Sequence, residues 1–210
     1  IVSGKPMIAG EYAVLQPPAL ALAVAVGQLV RWKAADDGAG CLRWRAFGQS
    51  GEAAWADATA AQGLPGFAMR AWQLACATWP ATGAPSLTID VAGDVHGKKL
   101  GLGNSAAVTV ATLRARAALC AVQTSAATVA ALARTAHRQA QGGQGSGYDV
   151  TAIAHGGALA WRVGAAGVQA LPWPQGLSAA AFYVGEPAPT AEALSRLPAM
   201  RPWLAGIASA

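Results

Sequence analysis

The chain has little charge. Only 12% of its 210 residues are Asp, Glu, Lys or Arg, whereas 54% are hydrophobic. That is an apolar balance for a soluble domain, and much of the apolar share is alanine, which suits helices and close packing. The length allows one sizeable core, or one domain and part of another. Long apolar runs are absent as well. Ala19 to Val26 is too short to span a bilayer, and the apolar stretch from Ala106 is interrupted by Arg114 and Arg116, so no membrane partner is expected. The opening Ile1-Val2-Ser3-Gly4-Lys5 lacks the features of a signal peptide; without an initial Met, a few preceding residues are expected to be missing.

Cysteine is scarce and odd in number. Cys41, Cys76 and Cys120 lie far apart with no C-x-x-C, which excludes a disulfide framework and points to free thiols in a reducing cytoplasm. His96, His137 and His155 have no metal-ligand spacing among themselves or with the cysteines, so a protein-bound zinc is not expected. The net charge is +5 and the sequence pI about 9.5, yet the cations are scattered, and only Lys98-Lys99 stand together in a basic pair. A nucleic-acid surface needs a denser patch. A pocket for an anionic metabolite needs only a few well-placed cations.

No internal repeat or low-complexity linker is present. Ala19 to Ala34 reads as two Val- and Leu-rich strands hinged near Gly27, and Cys41 to Phe47 as the next strand. Gly48 to Gly63 reads as a loop. Pro65 suits the first turn of a helix running to about Trp79. Leu87, Ile89 and Val91 alternate with Thr88 and Asp90, the period of a half-buried strand. A Gly- and Lys-rich turn, His96 to Gly103, then leads into a helix from about Asn104 to Val122, apolar nearly all round and therefore central. Thr124 or Ser125 can cap a further helix with the stripe Val129, Leu132, Ala133, Ala136 and Ala140, ended by Gly142-Gly143. A short helix over Tyr148 to Ala154 follows. Strands are expected at Ala158–Arg162, Val168–Leu171 and Ala180–Val184, then a helical unit from Pro187 to Leu197. This order is α+β rather than a regular βαβ alternation.

The most informative segment is Lys98-Lys99-Leu100-Gly101-Leu102-Gly103-Asn104-Ser105-Ala106-Ala107. Its glycines let the backbone wrap closely around a ligand, and the helix that follows points free N–H groups and positive dipole at an anion. Ser105 offers a hydroxyl for a phosphate oxygen or a magnesium ion. A plain glycine turn capped by Asn104 or Ser105 would read the same way. Two other phosphate motifs are excluded. No segment matches G-x-x-x-x-G-K-[ST]. Gly101-x-Gly103-x-x-Ala106 fits a dinucleotide fingerprint, but a polar turn precedes it and no acidic residue occurs between Asp94 and Asp149 to hold a ribose.

Three separated segments agree on one family. Ser3-Gly4-Lys5-Pro6-Met7-Ile8-Ala9-Gly10-Glu11-Tyr12-Ala13-Val14-Leu15 resembles the N-terminal motif of GHMP kinases. Lys99 to Ala107 resembles the family's glycine-rich ATP loop. Gly145-Ser146-Gly147-Tyr148-Asp149-Val150, followed by Gly156-Gly157, resembles the segment that carries its catalytic Asp. Within the family, Gly10-Glu11-Tyr12, Gly97-Lys98-Lys99 and Gln139-Ala140-Gln141-Gly142 look most like phosphomevalonate kinases. The likeness runs from about Val2 to Leu194.

The resemblance implies a ribosomal-protein-S5-domain-2-like N-terminal domain over 1–175. It also implies the start of a ferredoxin-like C-terminal domain over 176–210, truncated before the family's third glycine-rich motif. It implies ATP and Mg2+ as cofactors, and phosphomevalonate or a similar anionic metabolite as acceptor. Lys5 and Asp149 are the implied catalytic pair. Lys98, Lys99, Gly101, Leu102, Gly103, Asn104, Ser105, Ala106 and Ala107 would cradle the ATP phosphates, with Ser105 also on magnesium. Lys5, Glu11, Arg138, Ser146 and Gly147 are the implied substrate contacts. Two departures stand out. Asn104 occupies the place of a first serine, and His137-Arg138-Gln139 supplies no acid where mevalonate kinases carry a magnesium-binding glutamate. Arg138 suits a phosphorylated acceptor. Rival expectations are mevalonate kinase or another GHMP kinase, a non-catalytic nucleotide- or metabolite-binding relative, and an RNA-associated S5-like domain.

Overall fold

The computed structural model describes residues 1–9, 20–57, 61–92, 94–95, 98–162 and 168–178. The strands expected at Ala180–Val184, the helical unit from Pro187 and nearly all of 176–210 lie outside the described residues, as do Gly10 to Ala19.

In chain order the first strands are β1 (Val2–Gly4), β2 (Met7–Ala9), β3 (Leu20–Val24), β4 (Val26–Ala35), β5 (Cys41–Ala46) and β6 (Gln49–Ala54). Helix α1 (Gly63–Thr78) and strand β7 (Ser86–Val91) follow, then the short ribbon β8 (Asp94–Val95) and β9 (Lys98–Lys99). The rest comprises α2 (Asn104–Leu119), α3 (Ala126–Ala140), α4 (Tyr148–His155), β10 (Ala158–Arg162) and β11 (Val168–Leu171).

Two sheets form. One has the order β1-β4-β7-β5-β6, in which β5 and β7 run parallel and the other pairs antiparallel. The other has the order β11-β10-β3-β2 and is antiparallel throughout. The hinge expected near Gly27 is Ala25, whose N–H leaves both ladders and donates to the Gly157 carbonyl at 2.9 Å. One chain segment can thus feed β3 and β4 into different sheets.

Gln49–Ala54 was expected as loop and is an edge strand. Its sequence, with Ser, Gly and Glu, has low strand propensity. It is recruited by a two-residue hairpin turn, Phe47-Gly48, in which both residues have positive φ (52° and 72°). That turn twists in the sense that flanking strands need. Propensity lost to tertiary pairing here.

Helix α2 is buried on almost every side, as its apolar sequence requires. Thr109 and Thr112 turn their hydroxyls back to the Ser105 and Val108 carbonyls, each at 2.9 Å, so both buried hydroxyls are satisfied. The two arginines that interrupt α2 are tied to other helices. Arg114 donates to the Ala154 carbonyl at the end of α4 (2.8 Å), and buried Arg116 donates to the Trp79 carbonyl at the end of α1 (3.2 Å) while lying over the Trp72 ring. Cations at helix C-termini are electrostatically favoured there. Helix α3 starts at Ser125, whose hydroxyl accepts from the Thr128 N–H at 3.0 Å. No helix among the described residues is long and apolar enough to cross a membrane.

Candidate functional site

The site is assembled by three chain segments that meet at the N-terminal end of α2. The first is the exit of β1. Gly4 leads into Lys5, whose backbone N–H donates to the Leu102 carbonyl at 2.8 Å. A Cβ on Gly4 would lie 3.0 Å from that carbonyl oxygen and 3.1 Å from the Leu102 side chain, so the approach of the two segments needs glycine there. The second segment is the loop itself. Gly103 precedes α2 in the left-handed region (φ 79°), and a Cβ on it would meet Lys5 Cε at 3.2 Å and Cγ at 3.3 Å. The Lys5 stem therefore runs along the loop, and the residue is only 8% exposed.

Helix α2 closes its first turn with the Ala107 N–H on the Gly103 carbonyl (2.9 Å). The N–H groups before Ala107 have no intrahelical acceptor. Asn104, the first helical residue, is 6% exposed, and its side-chain amide nitrogen is buried without a hydrogen-bond partner. An orphaned buried donor is costly unless a ligand satisfies it. This donor, the free helix N–H groups and the Lys5 ammonium beside them suit an anion with several oxygens.

The third segment begins α4. Gly147 (φ 78°) is its N-cap and lies buried under the Arg134 stem. Tyr148 follows; its hydroxyl accepts from Lys5 Nζ, and its ring lies 4.4 Å from the same ammonium. Asp149 is inside the first turn of α4, where the helix dipole favours a carboxylate, and its Oδ1 accepts from the Val150 N–H at 2.8 Å. Asp149 thus spends Oδ1 on the first turn of its own helix, and Oδ2 is left to other partners.

One of those partners is His137, on the inner face of α3. Its Nε2 is 3.9 Å from Asp149 Oδ2 and 3.2 Å from the Ser105 hydroxyl, and its ring packs on Phe67 with centroids 4.8 Å apart. Burial pushes the imidazole below its ordinary value. Asp149 pulls it back up, and the Lys5 charge adds to the lowering. His155 is lowered too, by burial and by Arg134.

These shifts set the sign of a pH effect. Below the ordinary value of 6.5 the unfolded chain takes up protons that the folded chain resists. Stability is therefore expected to fall as pH drops through that value, read as a lower urea midpoint at about pH 5.5 than at about pH 7.5. His137→Gln should flatten the fall. Asp37, held below its ordinary 3.8 by the Ser86 hydroxyl and the Ala39 N–H, does not compete, because its contribution is lost only in stronger acid. A midpoint equal at both pH values would rule out a buried neutral His137.

The structure brings together Lys5, Gly103, Asn104, Ser105 and Asp149, and Ala106 and Ala107 follow in the same turn of α2. Gly101 and Leu102 form the loop behind Lys5. Others stand apart. Lys99 is exposed and its ammonium lies 5.4 Å from the Phe47 ring, towards the hairpin. Lys98 pairs with Val95 through its backbone, and its side chain is outside the described residues. Arg138 is exposed and spends its guanidinium on the Gly143 carbonyl (3.1 and 3.3 Å). Ser146 is half-buried just before Gly147. Glu11 lies outside the described residues. Sequence reasoning gave no role to Tyr148 or His137. For His137 a signal existed: it falls on the buried stripe of α3 four residues after Ala133.

The chain is similar to several known proteins. Residues 66–157 match the family described as GHMP kinases N terminal domain. Phosphomevalonate kinase from Streptomyces sp. (strain CL190) is 36% identical over 138 residues, 54% of this chain and 37% of that protein. The chain therefore spans well under half the length of that relative. The solved Lin0012 protein from Listeria innocua superposes with a TM-score of 0.79 at 22% identity, over 95% of this chain and 64% of that one. Streptococcus pneumoniae phosphomevalonate kinase, solved in complex with phosphomevalonate and AMPPNP, gives 0.60 at 24% identity, over 73% of this chain and 46% of that one. At such identities the two structures speak to the fold alone. Residues 66–157 are thus similar to a GHMP kinase N-terminal domain, and a phosphomevalonate kinase is among the relatives that the chain resembles.

Proposed function

We propose that the full-length protein is a cytoplasmic, ATP-dependent small-molecule kinase that phosphorylates phosphomevalonate to diphosphomevalonate. The observation that carries this reading is the position of Lys5. Its stem lies against Gly103 of the loop, and its ammonium meets Tyr148 beside Asp149. A single buried cation thereby links the glycine loop to the start of α4, one residue before Asp149. The 36% identity to a phosphomevalonate kinase supports the choice of acceptor.

Phosphoryl transfer depends mostly on positioning and on neutralising charge. Asn104, Ser105 and the free N–H groups of α2 would bind the nucleotide phosphates. Lys5 would hold donor and acceptor anions together as charge shifts between them. A phosphorylated acceptor already attacks with an anionic oxygen, so Asp149 would orient Lys5 and the acceptor; with an alcohol acceptor it would take the proton. Ser105 and Asp149 supply oxygen atoms suited to magnesium, which would offset phosphate charge when bound. Among the described residues no group of three His, Cys, Asp or Glu could hold a metal, so the ion would come with the nucleotide. Arg138 would contribute to the acceptor only by leaving the Gly143 carbonyl.

The test is ATP turnover by the full-length protein with magnesium and phosphomevalonate, mevalonate or a panel of sugars, beside Asp149→Ala. Turnover on phosphomevalonate that collapses in the variant is the expected result. Turnover confined to another acceptor would replace the substrate and keep the kinase. Nucleotide binding with no turnover on any acceptor would identify a non-catalytic relative.

A further inference from the structure

His137 is 2% exposed, and one atom of its ring faces two groups that the kinase reading places on opposite sides of the reaction. Nε2 lies 3.2 Å from the Ser105 hydroxyl, in the loop that would hold the nucleotide, and 3.9 Å from Asp149 Oδ2, beside the acceptor. The three residues come from three helices, α2, α3 and α4. The ring plane is set by packing on Phe67, which belongs to a fourth helix, α1. Nothing on α3 itself requires a polar side chain at this point, because its neighbours on the buried face, Val129, Ala133 and Ala136, are apolar. A polar ring in such a stripe costs stability unless it is hydrogen-bonded.

The facing charges fix how the ring bonds. A carboxylate at 3.9 Å favours the proton on the ring nitrogen turned towards it. Nε2 then donates to the Ser105 oxygen, the nearer of its two neighbours. Ser105 keeps its own hydrogen and a second lone pair for whatever enters the loop. The Lys5 charge disfavours a second proton on the ring.

We infer that His137 is a positioning residue: its Nε2–H holds the Ser105 hydroxyl, and the ring keeps that hydroxyl beside the Asp149 carboxylate 3.9 Å from Nε2, coupling the phosphate loop to the acceptor side. This rests on the kinase reading. A ring at this junction has no ligand of its own and acts only through Ser105 and Asp149.

The experiment uses the full-length protein with His137→Leu and His137→Gln. Leu fills the space and bonds to nothing; Gln places an amide N–H near Nε2. His137→Leu is expected to lower kcat about 10- to 100-fold, with a smaller change in KM for the acceptor and weaker ATP binding measured without acceptor. His137→Gln should recover most of both losses at similar thermal stability. Equal impairment in the two variants would reduce His137 to packing, and full activity in His137→Leu would overturn the inference outright. A third readout is independent of catalysis. Long-range 1H–15N spectra of the ligand-free protein should show His137 protonated at Nε2, with the signal shifted in Ser105→Ala and in Asp149→Asn. A proton on Nδ1, or a signal indifferent to both substitutions, would refute the inference even if the protein turned over no acceptor at all. A shifted signal in a protein without turnover would keep the positioning and discard the kinase.

Discussion

Lys5→Met in the full-length protein should lower kcat about 10²- to 10³-fold, the usual cost of removing one preorganised charge donor from a transition state. Methionine keeps most of the stem that lies along Gly103, so the loop should hold its shape. What is lost is the buried ammonium and its bond to the Tyr148 hydroxyl. Nucleotide affinity should fall much less than kcat, because Asn104, Ser105 and the helix N–H groups remain. Removing a buried cation also removes its desolvation cost, so the variant should fold normally. Steady-state kinetics with a circular dichroism control check this. A variant within tenfold of the parent would remove Lys5 from the mechanism.

The second large effect concerns the loop backbone. Gly103→Val places a β-branched residue at φ 79°, with its Cβ 3.2 Å from Lys5 Cε. A non-glycine residue held in such a region costs about 1–3 kcal/mol. For a chain of this size that is a fall in Tm of roughly 2–12 °C. If the loop relaxes to relieve the strain, the N–H groups of α2 turn and Lys5 is displaced, so ATP affinity should drop at least about tenfold. Calorimetry with and without ATP separates the two effects. An unchanged Tm together with unchanged ATP affinity would show that the left-handed turn is not required.

Much of the fold can be read from periodicity. Helix α2 is apolar nearly all round and is buried; Leu87, Ile89 and Val91 alternate and form a central strand. The hinge between β3 and β4 falls two residues from Gly27. Edge strand β6 escaped because its own residues carry no strand signal, and its pairing depends on the Phe47-Gly48 turn. The loop, Lys5 and Asp149 were legible because phosphate binding imposes glycines, a helix start and charges at fixed places along the chain.

Which of those residues meet is a different matter. Lys5 and Asp149 are separated by most of the domain, and no local rule joins them. Lys5 reaches Tyr148, the residue before Asp149, because β1 pairs at the edge of one sheet beside the start of α2 and α4 packs against both β1 and α2. The same packing turns His137 inward and leaves Arg138, the next residue, on the surface, although sequence alone favoured Arg138 as the ligand contact. Adjacent residues on a helix point about 100° apart, so one step along the chain exchanges site for solvent. The sequence by itself determined the chemical inventory, the secondary-structure periods and the family likeness, since each is written in local spacing. Only the tertiary structure decided that Lys5 is buried, that the Asn104 amide is orphaned and that His137 stands between Ser105 and Asp149. Burial and proximity arise from contacts between segments that the chain order does not specify.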